Sequence, residues 1–271
     1  SHILTFIAGT TIICLFDASI KVDAKLGFAQ PAFARGLPAA LAAANTNGIA
    51  SLAICHAHTC TSLGYFTEQI AAAGYIAIGL TNATACVSPP GGTKAVLGTN
   101  PIAMSVPDQA GGMAMHFDQS TSAIALGKIT MAAAAGDSIP LGWGVDAEGQ
   151  ATTDPNAVLQ GGSMVSSGGY KGYGFGLMAE ILAAAFTNGS TSGQLEPLKK
   201  PQGKPHNLGQ TYIIIDPTNV AGEGFWQRLD AIKEVINAQP NARLPGAKRE
   251  AKSIVELDSK VWQQTLQLAG A

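Results

Sequence analysis

The chain has 271 residues, 46% of them apolar and only 13% charged, with a formal net charge of −2. That length can bury one large core or two smaller ones, and the composition excludes a disordered or fibrous chain. A charge balance this close to neutral gives no field for nucleic acid or an anionic membrane, and no basic patch interleaved with aromatics occurs, so neither is expected as a partner.

In chain order, Ile3 to Phe16 is an apolar run of 14 residues, too short to span a bilayer and with no basic segment before it. Its Ile and Thr content predicts a buried strand. The abrupt start at Ser1-His2 suggests that natural sequence precedes it. Ile20 to Asp23 reads as a short strand. Pro31 to Ala44 reads as an Ala/Leu-rich helix stopped by Asn45-Thr46-Asn47-Gly48. Ile49 to Cys55 is a continuous apolar strand, followed by a polar break over His56-Ala57-His58-Thr59-Cys60. A helix over Leu63 to Ala73 ends at Gly74, and Tyr75 to Thr81 is another buried strand.

Two loops follow, Pro89-Pro90-Gly91-Gly92 and Gly98-Thr99-Asn100-Pro101. Ile102 to Val106 and Met113 to Asp118 read as strands, and Ser120 to Ala135 as a helix with a hydroxyl residue near its cap. Ile139 to Gln150 reads as loop and turn, Asp154-Pro155 opens a short helical turn, and Tyr173 to Ala185 is a long helix. Residues 188 to 210 read as a mobile loop, Tyr212 to Asp216 as a strand, and the tail from Gly222 as mainly helical and charged.

Before the long helix, five glycines and one lysine fall within nine residues, Gly168 to Gly176. Glycines allow positive φ and close backbone approach. A helix beginning there aims free N–H groups and a partial positive charge at the loop, and Lys171 adds a full charge. Those parts make an anion site, most plausibly for phosphate, although a tight turn with a surface lysine has the same composition. It is neither a Walker loop nor a clean Rossmann fingerprint.

His58, on a short loop between strand and helix, has the setting of a general acid or base, or of a hydrogen-bonded structural histidine. His56 and His58 alone do not make a zinc site, and no metal is expected. Asp118, at a strand end, is either a helix cap or a partner for His58, ribose or substrate. The four cysteines at 14, 55, 60 and 86 form no Cys-x-x-Cys pair and read as buried reduced thiols of a cytoplasmic protein. No Gly-x-Ser-x-Gly elbow occurs, which argues against an α/β-hydrolase.

These pieces, in their order and spacing, resemble the malate/L-lactate dehydrogenase-like family of non-Rossmann NAD(P)-dependent oxidoreductases. The resemblance rests on His58, Thr81-Asn82-Ala83, Gly98-Thr99-Asn100-Pro101, Phe117-Asp118-Gln119-Ser120-Thr121-Ser122, Gly127-Lys128-Ile129, Thr152-Thr153-Asp154-Pro155, Gly168-Gly169-Tyr170-Lys171-Gly172 and Pro245-Gly246, and covers residues 22 to 262. It implies an α/β fold with a mostly antiparallel mixed sheet flanked by helices, and a homodimer. With the composition shift near Pro217 it divides the chain into a cofactor-binding domain over 22–216 and a smaller helical unit from 1–21 and 217–271.

The activity it implies is hydride transfer between NADP or NAD and a small 2-keto or 2-hydroxy acid or a cyclic imino acid. Asn82-Ala83-Thr84-Ala85-Cys86 with Pro89 is similar to the branch that reduces delta-1-piperideine- and delta-1-pyrroline-2-carboxylate. Malate, lactate, ureidoglycolate and sulfolactate dehydrogenases remain alternatives, as does a non-catalytic nucleotide-binding module. Carried over residue by residue, His58 is the proton donor or acceptor, with Asp118 as a further catalytic candidate. Asn82, Asp118, Gln119, Ser120, Lys171, Gly172, Pro245 and Gly246 line the cofactor. Ser1, His2, Thr99 and Asn100 contact the substrate. The family's carboxylate-clamping arginine has no counterpart between residues 3 and 34, which is taken to mean that this segment is incomplete. His56-Ala57-His58-Thr59-Cys60 departs from the family's Asn-Ser-His/Asn-His-Phe, and Ala247 replaces an acidic residue.

Overall fold

The computed structural model describes residues 11–197, 204–246, 254 and 256–269, with residues 11–16 and 268–269 by backbone alone. Nine strands form among the described residues: β1 (Thr11–Phe16), β2 (Ser19–Asp23), β3 (Ile49–Ala57), β4 (Ile76–Thr81), β5 (Ile102–Pro107), β6 (Met113–Gln119), β7 (Gly144–Val145), β8 (Ser163–Met164) and β9 (Leu208–Ile215). Seven build one sheet in the order β1-β2-β3-β9-β4-β5-β6, and β7 pairs with β8. Only β2 and β3 run parallel within the large sheet; its other pairings are antiparallel. This is the mixed, mostly antiparallel α/β fold expected.

The parallel pair needs a crossover, and helix α1 (Ala29–Asn47) supplies it. Alanine-rich sequence favours the helix, which closes where Gly48 turns left-handed at φ 79° and donates its N–H to Ala44. It runs three residues past the expected end because the stop residues join it: Thr46 and Asn47 bond back to the carbonyls of Ala42 and Ala43. With helix α2 (Gly64–Ala72) it covers one face of the sheet. There Phe33, Phe66 and Tyr212 meet ring to ring at centroid distances of 5.0–5.6 Å, over Leu52, Ile54 and Ile70. Side chains alternate along a strand, so Tyr212, Gly79, Ser105, His116 and Asp118 face these helices, while Ile78, Met104 and Phe117 face the other way.

Helix α3 (Leu126–Ala135), the one-turn helix α4 (Pro155–Leu159) and the β7–β8 pair enclose a second core of Val87, Leu97, Ile129, Ile139, Val158 and Met164. The helix expected from Ser120 begins only at Leu126, with an uncapped N-terminus at Ala125. Its supposed cap residues are engaged elsewhere: Thr121 donates both its N–H and its hydroxyl to Thr99, and the Ser122 hydroxyl bonds the Ile124 carbonyl.

Helix α5 (Tyr170–Glu180) starts three residues earlier than the periodicity indicates and passes into a π-helical turn over Ile181–Ala185. The stretch read as a loop over 188–210 holds a short 3-10 turn at Ser192–Gln194 with a reciprocal Thr191/Gln194 capping box, and its end is the start of β9. Three further helices follow: α6 (Pro217–Ala221), α7 (Gly224–Asn237) and α8 (Ser259–Ala269).

Antiparallel pairing brings several chain breaks to one end of the sheet. The registers Ala57↔Leu208, Thr81↔Gln210, Leu80↔Ile102 and Ile102↔Gln119 put the exits of β3, β4 and β6 beside the entries of β9 and β5. His58, Asn82, Asn100, Gln119 and His206 therefore share one edge.

Candidate active site

A cleft of about 880 Å³ opens on the face away from α1 and α2. Its floor is apolar, with Ile78, Met104 and Phe117 in cross-strand register. One wall is the loop from Ser120 to Ala125; the other is Ser167 and the first turns of α5, with Lys171, Gly172, Phe175 and Met178.

The sequence of the second wall explains its shape. Gly168 and Gly169 sit at φ 65° and 66°, which turns the chain sharply into the helix. A side chain at Gly172 would place Cβ 1.8 Å from the Ser167 carbonyl oxygen, so the first helical turn lies directly on the preceding loop. No side chain caps this N-terminus and no acidic residue lies in its first turn. Its N–H groups, the helix dipole and Lys171 form a donor set suited to phosphate. An apolar floor beside that set suits a flat ring. The residues present fit a nicotinamide dinucleotide.

Of the residues expected to bind cofactor, Asp118, Gln119, Ser120, Lys171 and Gly172 line this one cleft. The Asp118 carboxylate, however, points through the sheet to the other face, where it accepts from the Gly64 N–H at 2.7 Å and the Ser62 hydroxyl at 3.1 Å. It stabilises the start of α2, which is the capping reading on a different helix. It is not placed to act as a base in the cleft.

Asn82 is buried with Nδ2 on the Ser190 carbonyl at 2.9 Å, and its Oδ1 has no hydrogen-bond partner among the described residues. Thr99 offers its carbonyl to Thr121 beside the cleft. Asn100, expected at the substrate, is fully buried with both ends of its amide engaged. Oδ1 accepts from the Ala83 N–H, and Nδ2 donates to the Gly176 carbonyl at 3.0 Å and to Glu180 Oε2 at 2.8 Å. That side chain cannot reach a ligand, and its role is to tie the β5 entry to α5. Pro245 accepts from the His116 N–H, which sets Pro245-Gly246 along the outer edge of β6 two residues from Asp118. Ser1 and His2 lie outside the described residues.

His58 does not line the cleft. It stands at the same sheet edge beyond β3, four strand spacings from β6, roughly 19 Å. The His206 backbone N–H donates to His58 Nδ1 at 3.0 Å, and the rings of Phe28 and His206 stand edge-on to it at 5.7 and 5.8 Å. Burial, and then the neighbouring His206, push its pKa below the ordinary 6.5. Since Nδ1 is an acceptor, the imidazole is neutral with its proton on Nε2.

Two arrangements have no counterpart in the sequence reading. Glu180 is buried and accepts from Asn100, the Ser192 N–H at 2.6 Å and the Ser192 hydroxyl at 2.5 Å. Asp23, Cys55 and His56 cluster within 4.8 Å of one another. His56 sits there at φ 54° and meets Asp23 Oδ1 at 2.9 Å. Lys25 Nζ takes the other carboxylate oxygen at 2.9 Å, so an ammonium already supplies the positive charge that a metal would bring. A positive-φ non-glycine residue breaking the strand alternation is the signal that sequence did not carry.

Over residues 8–264 the chain matches the malate/L-lactate dehydrogenase family. It is 41% identical over 254 residues to the Delta(1)-pyrroline-2-carboxylate/Delta(1)-piperideine-2-carboxylate reductase of Pseudomonas putida, covering 92% of this chain and 73% of that protein. It is 36% identical over 232 residues to the (2R)-3-sulfolactate dehydrogenase (NADP(+)) of Chromohalobacter salexigens, covering 86% of this chain and 69% of the other. The crystal structure of delta1-piperideine-2-carboxylate reductase from Pseudomonas syringae pvar. tomato matches with a TM-score of 0.81 at 36% identity, over 88% of this chain and 72% of that one.

Proposed function

The chain belongs to the malate/L-lactate dehydrogenase family of oxidoreductases, and on that premise we propose that it reduces a cyclic 2-imino acid of the delta-1-piperideine- or delta-1-pyrroline-2-carboxylate type with NADPH or NADH. The nicotinamide supplies a hydride when bound. Lys171 and the N–H groups at the start of α5 hold its phosphates, and Ser120 and Gln119 line its course toward the sheet edge.

The observation that carries this reading is the state of His58. A keto acid becomes a hydroxy acid only by taking up a proton with the hydride, and that calls for an acid at the reacting oxygen. His58 is held neutral, with Nδ1 turned to an N–H that leaves no room for a second ring proton. It is poorly suited to be that acid. A cyclic iminium brings its own proton: hydride adds to carbon, the C=N electron pair returns to nitrogen, and the product is a neutral amine. Nothing further has to be donated. A neutral Nε2–H then serves as a hydrogen-bond donor that orients the substrate.

Exposed apolar side chains along α5 and the π-helical turn, among them Tyr170, Leu177, Ile181 and Phe186, support assembly as a homodimer.

The test is a substrate panel with both cofactors. Δ1-piperideine-2-carboxylate and Δ1-pyrroline-2-carboxylate are expected to show kcat/KM at least about tenfold above pyruvate, oxaloacetate or 3-sulfopyruvate. Equal or faster turnover of a keto acid sinks the imine reading. Cofactor binding with turnover of none of them leaves only a binding module.

A further inference from the structure

We infer that His206 is a positioning residue for His58: its ring anchors a strap whose backbone N–H fixes the His58 tautomer. The inference rests on His58 being the site histidine.

His206 is buried, and its Nε2–H donates to the carbonyl of Glu196. That bond ties His206 to Glu196. The other end of His206 is held by the sheet, since Leu208 pairs with Ala57, the residue before His58. The segment is pinned on both sides, and between the pins the His206 N–H meets His58 Nδ1. The two rings stand edge to face, and Phe28 closes the far side of His58 at an interplanar angle of 61°.

A backbone N–H cannot accept, so a bond from it to an imidazole nitrogen has one solution: that nitrogen is unprotonated and the other carries the proton. This removes two alternatives, the Nδ1–H tautomer and the imidazolium. It also restrains rotation of the ring about its Cβ–Cγ bond. The amide alone cannot do this, because an N–H on an untethered loop has no fixed position. The His206 ring supplies the tether.

The consequence is testable without any substrate. In long-range ¹H–¹⁵N spectra of the full chain, His58 is expected to show an unprotonated Nδ1 and a protonated Nε2. In His206→Ala the two nitrogens are expected to average, because the strap no longer holds its N–H in place. His206→Gln, whose side-chain amide can still donate to the Glu196 carbonyl, is expected to restore the fixed pattern. In steady-state assays His206→Ala is expected to lower kcat by roughly 10- to 100-fold at unchanged cofactor KM, with His206→Gln recovering most of it.

Averaged nitrogens in the unmodified protein, or a fixed tautomer that survives His206→Ala, overturns the proposal. So does a loss in which kcat and cofactor KM worsen together and glutamine does not rescue. Absence of imine turnover with the tautomer pattern intact refutes the function proposed above and leaves the strap standing.

Discussion

At the scale of single residues, charge and proton placement decide what can be measured. Replacing Lys171 by alanine removes the one full charge at the α5 N-terminus and is expected to raise the cofactor Kd about tenfold or more, read by NAD(P)H fluorescence titration. His58→Ala is expected to leave that Kd unchanged while turnover falls roughly 100-fold. The pH dependence carries a sign. Burial and His206 lower the His58 pKa below 6.5, so the neutral form persists down to that lowered value and is lost only as pH falls through it. Cyclic imine reduction limited by His58 should therefore hold level from neutrality to below pH 6.5 and then decline. An enzyme that needed the imidazolium would lose activity as pH rose through the same range. A kcat/KM profile on the imine separates the two.

Asp23 gives a matching statement about stability. Burial raises its pKa, but the backbone N–H and ammonium of Lys25 and the His56 ring outweigh it and hold the carboxyl at about 2 against an ordinary 3.8. A depressed carboxylate stabilises the fold above its unfolded pKa and loses that contribution as pH falls through its folded one. Asp23→Asn is expected to cost about 2 kcal/mol at neutral pH in urea unfolding, and the difference should vanish near pH 2.

At the scale of elements, α5 forms one wall of the cleft, and a buried polar latch holds it. Glu180 at its C-terminal end and the Gly176 carbonyl about one turn before it bond to Asn100, which in turn fixes the Ala83 N–H beyond β4. Ser192 closes the group from the 3-10 turn. Asn100→Ala would leave a buried carboxylate short of a donor. It is expected to lower stability by roughly 3 kcal/mol in denaturant unfolding, and to weaken cofactor binding because α5 is no longer tied down. These elements differ in how far sequence foretold them. The strands over 49–55, 75–81 and 102–106 were legible because apolar runs of strand length have few alternatives. The start of α3 was not: Ser120, Thr121 and Ser122 have cap chemistry, but their hydroxyls donate to the carbonyls of Ser122, Thr99 and Ile124 respectively. The exit of α5 was not either, since a π-helical turn leaves no mark on periodicity.

At the scale of the whole molecule, much apolar surface lies on one run of helix. Tyr170 is 73% exposed, Ile181 52% and Phe186 52% in the single chain. Patches of this kind are uncommon on proteins that remain monomers. Sedimentation is expected to show a dimer, and Ile181→Glu combined with Phe186→Glu to yield a monomer; a monomeric unmodified chain would refute the assignment.

The sequence by itself determined the family and the sheet-forming segments, because these rest on local composition and on the order of short motifs. Tertiary structure alone decided which side of the sheet Asp118 faces, that Asn100 is locked inside, and that His58 is neutral. Those facts depend on partners 54, 80 and 148 residues away in the chain, at Gly64, Glu180 and His206. A hydrogen bond is set by the position and direction of both its groups, and only the folded chain fixes those across such separations.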